Sequence, residues 1–255
     1  MISEELKLIF LHIPRSGGMS LKKVLIDLYQ RAAMTRISKK SPGVFLGTPP
    51  RWEDREEKLN MTQMGITYKQ SKEYKIFTVL RNPIDRIASY YDYFVKEAKR
   101  NSNVDFQITS FDDFVDNINN YYKGGVQYVI DEEHPLYSWG ISDQKILFNI
   151  PAIQKLSWWT ETVDGGEPAV KLFNFNKLEE EWDNYKKQIG PPGFMKDNAN
   201  SRSSNPKHNV PHIRKNRLSK TKDKKIDYES YYSEKSLEIM HEIYGEEIEL
   251  FKDMQ

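Results

Sequence analysis

Residues 6–31 restrict the fold of this chain most strongly, because they combine a buried strand, a glycine turn and a helix. Residues 6–13 are almost continuously apolar, which is typical of a strand covered on both faces of a parallel sheet. The turn at 14–18 (Pro-Arg-Ser-Gly-Gly) follows, and apolar residues then recur at helical spacing, which predicts a helix over about residues 19–31. This order of elements opens a βαβ unit.

The rest of the chain continues the alternation of strands and helices. Residues 75–80 predict a second strand. Asn82 and Pro83 then predict the start of a helix, because asparagine caps free N–H groups and proline at the first helical position loses no hydrogen bond. We read residues 101–162 as mostly helical and irregular. A third strand is predicted at 169–175. Further helices are predicted at 111–118, 142–148, 176–188 and 233–252, with one short helix near 53–64.

Length and composition set outer limits on fold and function. The 255 residues suffice for one large core, and we expect residues 1–255 to form a single α/β domain. The chain has no cysteine, so disulfide frameworks, cysteine-ligated metals and cysteine nucleophiles are excluded. No apolar run approaches the ~20 residues that span a bilayer, and the acidic start is unlike a secretory signal. We therefore expect a cytoplasmic protein without a membrane partner.

Charge is distributed unevenly along the chain. The 38 basic and 37 acidic residues give a net charge of +1, which argues against a dedicated nucleic-acid binder. Residues 196–225, which we call the basic segment, nevertheless hold ten basic and two acidic residues. They carry +8, which leaves −7 for the remainder. A basic segment on an acidic body indicates an anionic ligand or partner, and a solvated loop is the alternative.

The turn at 14–18 has the chemistry of a phosphate site. After a buried strand, two glycines let backbone N–H groups approach a ligand closely, and the start of the next helix adds a partial positive charge. Arg15 and the hydroxyls of Ser16 and Ser20 are expected to converge there. The Walker A spacing is absent, so the pattern predicts an anion site of another kind. An ordinary glycine turn is the alternative.

Residues 78–91 (Thr-Val-Leu-Arg-Asn-Pro-Ile-Asp-Arg-Ile-Ala-Ser-Tyr-Tyr) supply a second candidate site. Arg81 lies where the second predicted strand passes into a capped helix. This is the sheet edge at which ligands of open α/β sheets bind. Ser89 lies further along the helix, where it could share an anion with Arg81. An exposed capping segment is the alternative interpretation.

Together, the two segments resemble sulfotransferases that depend on 3′-phosphoadenosine 5′-phosphosulfate (PAPS). Residues 11–21 (Leu-His-Ile-Pro-Arg-Ser-Gly-Gly-Met-Ser-Leu) are similar to the 5′-phosphosulfate loop of that family, and 79–91 are similar to its 3′-phosphate motif. The nearest branch contains the heparan sulfate 2-O- and 6-O-sulfotransferases and their bacterial relatives. Weaker similarity at 142–144, 171–180, 210–213 and 249–251 extends the resemblance over most of the chain.

The resemblance implies a P-loop NTPase-like, three-layer α/β fold around a central, mainly parallel sheet. It implies transfer of a sulfo group from PAPS to an acceptor hydroxyl, with a carbohydrate as the expected acceptor. Adenosine 3′,5′-bisphosphate would be released, and no metal is required. The residues that it assigns to the 5′-phosphosulfate are Arg15, Ser16, Gly17, Gly18, Met19, Ser20 and Leu21.

The same resemblance assigns the 3′-phosphate to Arg81 and Ser89. Lys215 and Arg217 of the basic segment are further candidates for closing over the nucleotide, on the ground of charge alone. Two positions depart from the family pattern, which usually has lysine at Arg15 and often has threonine at Met19. Arginine can stabilise developing negative charge but does not donate a proton, so we expect an electrostatic role for the catalytic Arg15.

The catalytic base is the least determined residue. Relatives often place a histidine where this chain has Asn60, and an amide cannot take up the acceptor proton. The acidic residues Glu56 and Glu57 are our candidates, since other sulfotransferases use a glutamate. The alternatives are Asp54, His12, His134, His208 and His212. Trp158 and Trp159 are the first candidates for stacking on adenine or on an acceptor.

Two other functions stay open at the level of sequence. One is a nucleotide-dependent phosphotransferase, against which the missing Lys-Ser/Thr pair counts. The other is a non-catalytic protein that binds nucleotide or nucleic acid through the same fold and the basic segment. The identity of the acceptor and the oligomeric state do not follow from any pattern in the chain.

Overall fold

The computed structural model of the chain describes residues 2–3, 7–21, 25, 60–100, 110–130, 138–142, 145–189 and 227–255. The strands of its central sheet are β1 (Ile2–Ser3), β2 (Leu8–Leu11), β3 (Lys75–Leu80) and β7 (Val170–Asn174). They lie in the order β1-β2-β3-β7, in which β2, β3 and β7 are parallel and β1 is antiparallel to β2. The three predicted strands are confirmed as the parallel part of this sheet.

Helices connect and cover these strands. The helix that follows the first turn is described at residues 18–21 and 25. Single 3₁₀ turns lie at Phe175–Lys177 and Glu229–Tyr231. The remaining helices are α1 (Tyr68–Ser71), α2 (Pro83–Arg100), α3 (Phe111–Tyr122), α4 (Ile150–Ile153), α5 (Leu156–Thr160), α6 (Leu178–Ile189) and α7 (Glu234–Asp253).

Local sequence signals account for the helix starts. The side chain of Asn82 accepts a hydrogen bond from the Ile84 N–H at 3.0 Å, and Pro83 begins α2. Ser110 caps α3 and Ser233 caps α7 in the same way. Each cap satisfies an N–H group that has no partner within the helix, which fixes where the helix begins. The predicted helices at 111–118, 176–188 and 233–252 are confirmed within a few residues.

Alternate side chains of β2 and β3 pack on opposite faces of the central sheet. Phe10 and Phe77 lie on one face with Trp182 of α6, whereas Ile9 and Ile76 lie on the other face. Because both faces are covered, the sheet forms the middle of a three-layer α/β arrangement, as the P-loop-like fold requires.

A second core lies between α2, α3 and α7. Tyr90, Phe114 and Met240 represent these three helices in one cluster of buried side chains, together with Phe148. The start of α2 is therefore supported by two helices that come later in the chain. The packing of α2 matters because Arg81 immediately precedes this helix and Ser89 lies within it.

The predicted helix at 142–148 is wrong, and the interpretation of 101–162 as mostly helical and irregular missed three strands. A second, antiparallel sheet has the order β4-β5-β6, with β4 at Gln127–Ile130, β5 at Ser138–Ser142 and β6 at Lys145–Asn149. A short apolar run such as Ile146–Phe148 has no periodicity that separates strand from helix. Antiparallel pairing with the preceding strand, β5, decides the outcome.

The predicted short helix near 53–64 is described only at its end. There, residues 61–65 form turns, in which the N–H of Met64 donates to the carbonyl of Asn60 and that of Gly65 to Thr62. The remainder of that prediction lies outside the described residues. Within the part of the chain that the structure describes, no helix has the length and apolarity needed to cross a membrane.

Candidate nucleotide site

The carboxyl ends of β2 and β3 bring the two predicted motifs together. Leu11, the last residue of β2, is in register with Thr78 of β3, and the Thr78 hydroxyl donates a hydrogen bond of 2.7 Å to the Leu11 carbonyl. Parallel strands end at the same sheet edge, so the turn at 14–18 and Arg81 share that edge. Ligands of open α/β sheets bind there.

The turn after β2 adopts an unusual backbone. Arg15 and Gly17 have φ angles of +66° and +82°, which lie in the left-handed region. Gly17 occupies this region without steric cost, and a Cβ atom on it would lie 3.0 Å from the Phe175 ring. For Arg15 the conformation costs about 1–2 kcal/mol. Strain at a non-glycine residue is characteristic of loops that are shaped for a ligand.

Gly18 is required for a different reason, which is its close packing on His12. A Cβ atom at Gly18 would lie 2.1 Å from Cδ2 of His12. The imidazole is buried and stacks on Phe10 at 5.9 Å between ring centroids. His12 therefore packs between Phe10 and Gly18 and supports the turn after β2. Its packed position speaks against the alternative that it serves as the catalytic base.

Arg15, Ser89 and Arg81 form one hydrogen-bonded group. The Nη2 atom of Arg15 donates to the Ser89 hydroxyl at 3.1 Å, and the Nη1 atom of Arg81 donates to the Arg15 carbonyl at 3.0 Å. Arg81 is 4% exposed, and Ser89 is fully buried. The structure thus joins the predicted 5′-phosphosulfate loop to both residues of the predicted 3′-phosphate motif.

Three aromatic rings line the two arginines. The Arg15 guanidinium lies over the Tyr93 ring at 5.1 Å from its centroid. The Arg81 guanidinium lies over Phe175 at 4.8 Å and over Tyr228 at 5.0 Å. Cation–π contacts of this kind orient a guanidinium without neutralising it. The rings therefore help to hold both guanidinium groups at this edge of the sheet.

Sequence reasoning missed these three aromatic residues. Phe175 immediately follows β7, so its position at the carboxyl end of the third parallel strand could have indicated it. Tyr93 lies four residues after Ser89 on α2, which places both on the same helix face. Tyr228 lies more than 140 residues from Arg81 in the chain, and no local signal connects the two.

The serines of the turn fit an anionic ligand. Among the described residues, the Ser16 hydroxyl has no hydrogen-bond partner, although the residue is only 1% exposed. A buried polar group without a partner costs about 1–3 kcal/mol, which a phosphate or sulfo oxygen at the turn would offset. Ser20 lies in the first turn of the following helix, where its N–H donates to the Gly17 carbonyl at 3.0 Å.

The two apolar residues of the predicted loop have different environments. The Met19 side chain is 58% exposed, and that of Leu21 is buried beside Phe10 and Phe77. Neither side chain offers a polar group. If these positions bind the nucleotide, as the family pattern assigns, they do so through backbone N–H groups at the start of the helix.

Tyr90, next to Ser89, is a structural residue. Burial raises the pKa of the Tyr90 phenol, and its oxygen accepts a hydrogen bond of 2.7 Å from the N–H of Asn149. The phenol therefore stays protonated at neutral pH, which leaves it unsuited to take up a proton from an acceptor. Its contact with Asn149 ties α2 to the end of β6.

Asn60, where the family resemblance leads us to expect a histidine, organises a turn. Its side-chain oxygen accepts from the Gln63 N–H at 2.7 Å, and its side-chain nitrogen donates to the Trp158 carbonyl at 3.0 Å. Trp159 is fully buried and meets the Trp158 ring edge-to-face at 5.0 Å. The expectation that this pair stacks on a ligand is therefore wrong for Trp159, whose ring is part of the protein interior.

Several predicted site residues lie outside the described part of the chain. They are the candidate bases Glu56 and Glu57, the alternatives Asp54, His134, His208 and His212, and Lys215 and Arg217 of the basic segment. Within the described part, no group of three or more histidine, aspartate or glutamate side chains is arranged to hold a metal ion.

Comparison with known proteins agrees with this geometry. The family model described as the sulfotransferase family matches residues 1–252. The chain therefore belongs to the sulfotransferase family, whose members transfer sulfo groups, and the family prediction made from the two motifs is confirmed. No curated protein and no solved structure matches the chain. The resemblance to the heparan sulfate branch stays a prediction.

Proposed function

We propose that this protein transfers the sulfo group of PAPS to an acceptor hydroxyl, in a single domain that spans residues 1–255. The observation that carries the proposal is the group formed by Arg15, Arg81 and Ser89. It joins a strained, glycine-containing turn to a second, buried cation at one sheet edge. Two linked positive charges suit a nucleotide that is anionic at both its 5′ and 3′ positions.

The donor would be held by the residues that the family pattern assigns. The backbone of residues 16–21, with the hydroxyls of Ser16 and Ser20, would bind the 5′-phosphosulfate at the helix start. Arg81 and Ser89 would bind the 3′-phosphate. Lys215 and Arg217 are proposed to contribute further positive charge from the basic segment.

The chemistry is an in-line displacement at sulfur. The acceptor oxygen forms the new S–O bond, and the bond between sulfur and the bridging phosphate oxygen breaks. Adenosine 3′,5′-bisphosphate leaves with that electron pair. Negative charge develops on the bridging oxygen, where Arg15 and the N–H groups of the turn stabilise it electrostatically, a contribution of about 3 kcal/mol per donor in comparable sites. Glu56 or Glu57 is proposed to take up the acceptor proton.

A carbohydrate is the proposed acceptor class. The support is the resemblance to sulfotransferases that act on heparan sulfate, together with the excess positive charge of residues 196–225, which suits an acidic polysaccharide. The phosphotransferase alternative is not favoured, because the family model matches nearly the full chain and the turn lacks Lys-Ser/Thr.

Thermal unfolding with added ligands tests the proposed donor. We expect adenosine 3′,5′-bisphosphate to raise the melting temperature more than ADP or a short DNA duplex does, because only a ligand that binds the native state stabilises it. Arg81→Ala should abolish most of this shift. Lys96→Ala, which removes an exposed cation from α2, the helix that follows Arg81, is the control and should keep the shift. An equal response to ADP, or none to the bisphosphate, would contradict the proposal.

Measured sulfo transfer tests the reaction and its base. With PAPS as donor and a panel of polysaccharides and simple alcohols as acceptors, we expect turnover with a carbohydrate. Glu56→Gln or Glu57→Gln should lower kcat by a factor of about 10²–10⁴ while leaving the affinity for the bisphosphate intact. Bisphosphate binding without transfer to any acceptor would identify a non-catalytic nucleotide binder. Unchanged turnover in both variants would exclude both glutamates as the base.

A further inference from the structure

Three tyrosines in residues 228–232 contact α2 and the arginine that precedes it. The Tyr232 hydroxyl donates to the Ile84 carbonyl at 2.8 Å, and the Tyr231 hydroxyl donates to the carboxylate of Asp92 at 3.2 Å. Tyr228 packs its ring on the Arg81 guanidinium. These residues come shortly after the basic segment in sequence and lie at the proposed 3′-phosphate site.

Arg81 is held from several directions. Its Nη1 atom donates to the Arg15 carbonyl, and its guanidinium lies over the rings of Phe175 and Tyr228. Tyr228 is 7% exposed, so this contact is shielded from water. A cation–π contact is stronger when it is desolvated. The rings therefore restrict the orientation of the arginine, and with it the direction in which its remaining N–H groups point.

The two rings differ in what else they touch. Phe175 also approaches the turn after β2, since a Cβ atom on Gly17 would lie 3.0 Å from its ring. The Tyr228 ring contacts Arg81 and lies 6.1 Å from the Tyr231 ring, and residues 231 and 232 contact α2. A change at Tyr228 therefore avoids the close approach of Phe175 to the turn after β2.

We propose that Tyr228 is a positioning residue that orients Arg81 and thereby sets the preference of this protein for nucleotides that carry a 3′-phosphate. The proposal rests on the function proposed above and deepens it. The ring of Tyr228 touches no reacting atom. It acts by keeping the Arg81 guanidinium in the orientation in which it can bind the 3′-phosphate, so that less conformational freedom is lost on binding.

The test compares two nucleotides that differ by the 3′-phosphate. Calorimetry gives the Kd of adenosine 3′,5′-bisphosphate and of AMP for each protein. In Tyr228→Leu we expect the ratio of the two Kd values, AMP over bisphosphate, to fall about tenfold, because the bisphosphate binds more weakly while AMP binding changes less than about twofold. Tyr228→Phe, which keeps the aromatic face, should retain the wild-type ratio.

Two further variants separate positioning from general destabilisation. Tyr185→Leu removes another buried tyrosine, which packs on Phe173 and Trp182, and it should leave the ratio unchanged. Tyr228→Met introduces a longer, unbranched and more adaptable side chain without an aromatic face, and it replaces Tyr228→Leu if that variant does not fold. Circular dichroism without ligand confirms that each variant is folded.

The outcomes distinguish this inference from the proposed function. The positioning role would be overturned if Tyr228→Leu leaves the ratio of the two Kd values unchanged, even when both nucleotides bind more weakly. It would also be overturned if Tyr228→Phe does not retain the wild-type ratio. Neither result would affect the assignment of the donor. If the wild-type protein binds no bisphosphate, the proposed function is wrong, and this inference is overturned with it.

Discussion

Arg15 donates a hydrogen bond from Nη2 to the Ser89 hydroxyl at 3.1 Å, although 74 residues separate them in the chain. One end of this contact is a strained residue in the turn after β2, and the other is a buried serine in the middle of α2. The contact links the turn at 14–18 to α2, the two elements proposed to bind opposite ends of the nucleotide. Its energy can be measured in the protein without ligand.

A double-mutant cycle on Arg15 and Ser89 should show coupling. Arg15→Ala and Ser89→Ala each remove one partner of a part-buried hydrogen bond from a charged donor, so the double variant should be less destabilised than the sum of the two single variants. We expect a coupling of about 1–2 kcal/mol in the free energy of unfolding, measured by urea denaturation.

An exposed ion pair provides the comparison for that cycle. Lys252 and Glu249 are 2.7 Å apart on α7, and both side chains are more than half exposed. Water screens such a pair, so its cycle should give about 0.5 kcal/mol or less. If the coupling of Arg15 with Ser89 is no larger than that, the contact does not join the two halves of the site.

Much of the site could be predicted because its signals are local and the strands are parallel. Residues 14–18 and Arg81 follow two apolar runs, and residues that follow parallel strands meet at one sheet edge. Ser89 was predicted from the motif at 78–91, and the structure brings it to Arg15. Phe175 was not predicted, although it directly follows β7. Tyr228 was not predicted because a cation–π contact needs only two residues brought together by the fold and leaves no periodicity in the sequence.

The β4–β6 sheet shows the same limit at the level of secondary structure. Residues 142–148 contain an apolar run that is compatible with a helix or a strand, and the local pattern does not decide between them. Pairing of β5 with β4 and β6 decides for strands, with a register irregularity at Gly140 and Ile141. Such tertiary interactions routinely override local preference.

Gly18→Ala should be strongly destabilising through His12. The added methyl group would lie 2.1 Å from the imidazole, at a residue that is buried in the fold, so either the ring or the turn must move. Overpacking of this kind costs about 1–3 kcal/mol. Urea denaturation of the variant measures the change.

The cause can be isolated with a second substitution. In a His12→Ala background the clash is removed, and Gly18→Ala should then cost about 1 kcal/mol less than in the wild-type protein. Gly65→Ala is a comparison at a glycine with open space around its Cβ position and a φ of +70°, where only backbone strain applies. An equal cost of Gly18→Ala in both backgrounds would show that His12 is not the obstacle.

Removal of one partner of the buried Arg86–Glu247 pair should be far more costly than removal of both. The atoms Nη2 and Oε2 are 3.4 Å apart, and Arg86 is fully buried. Arg86 also donates to the Gln154 carbonyl at 3.2 Å, and Glu247 accepts from the Leu156 N–H at 2.6 Å. Arg86→Met leaves an uncompensated buried carboxylate, for which we expect a loss of about 3–5 kcal/mol in the free energy of unfolding.

The double variant Arg86→Met/Glu247→Gln tests this reasoning, because glutamine keeps an oxygen for the Leu156 N–H and carries no charge. It should be more stable than Arg86→Met alone by at least about 1 kcal/mol. Chemical denaturation of both proteins gives the difference. Equal or lower stability of the double variant would mean that the loss in Arg86→Met comes from packing, including its contact with the Tyr244 ring.

Alkaline pH should destabilise the fold through its buried tyrosines. Burial raises the pKa of Tyr244 well above 10, and its hydroxyl donates to the Ile153 carbonyl. Above pH 10 the unfolded chain loses this proton while the native state keeps it, so the native state binds more protons and stability falls as the pH rises. Each such tyrosine contributes about −1.4 kcal/mol per pH unit to the slope of the free energy of unfolding against pH.

Tyr244→Phe should make this slope less negative by that amount above pH 10 and leave it unchanged between pH 7 and 9, as measured by urea denaturation at each pH. An unchanged slope above pH 10 would show that Tyr244 ionises in the native state as readily as in the unfolded chain.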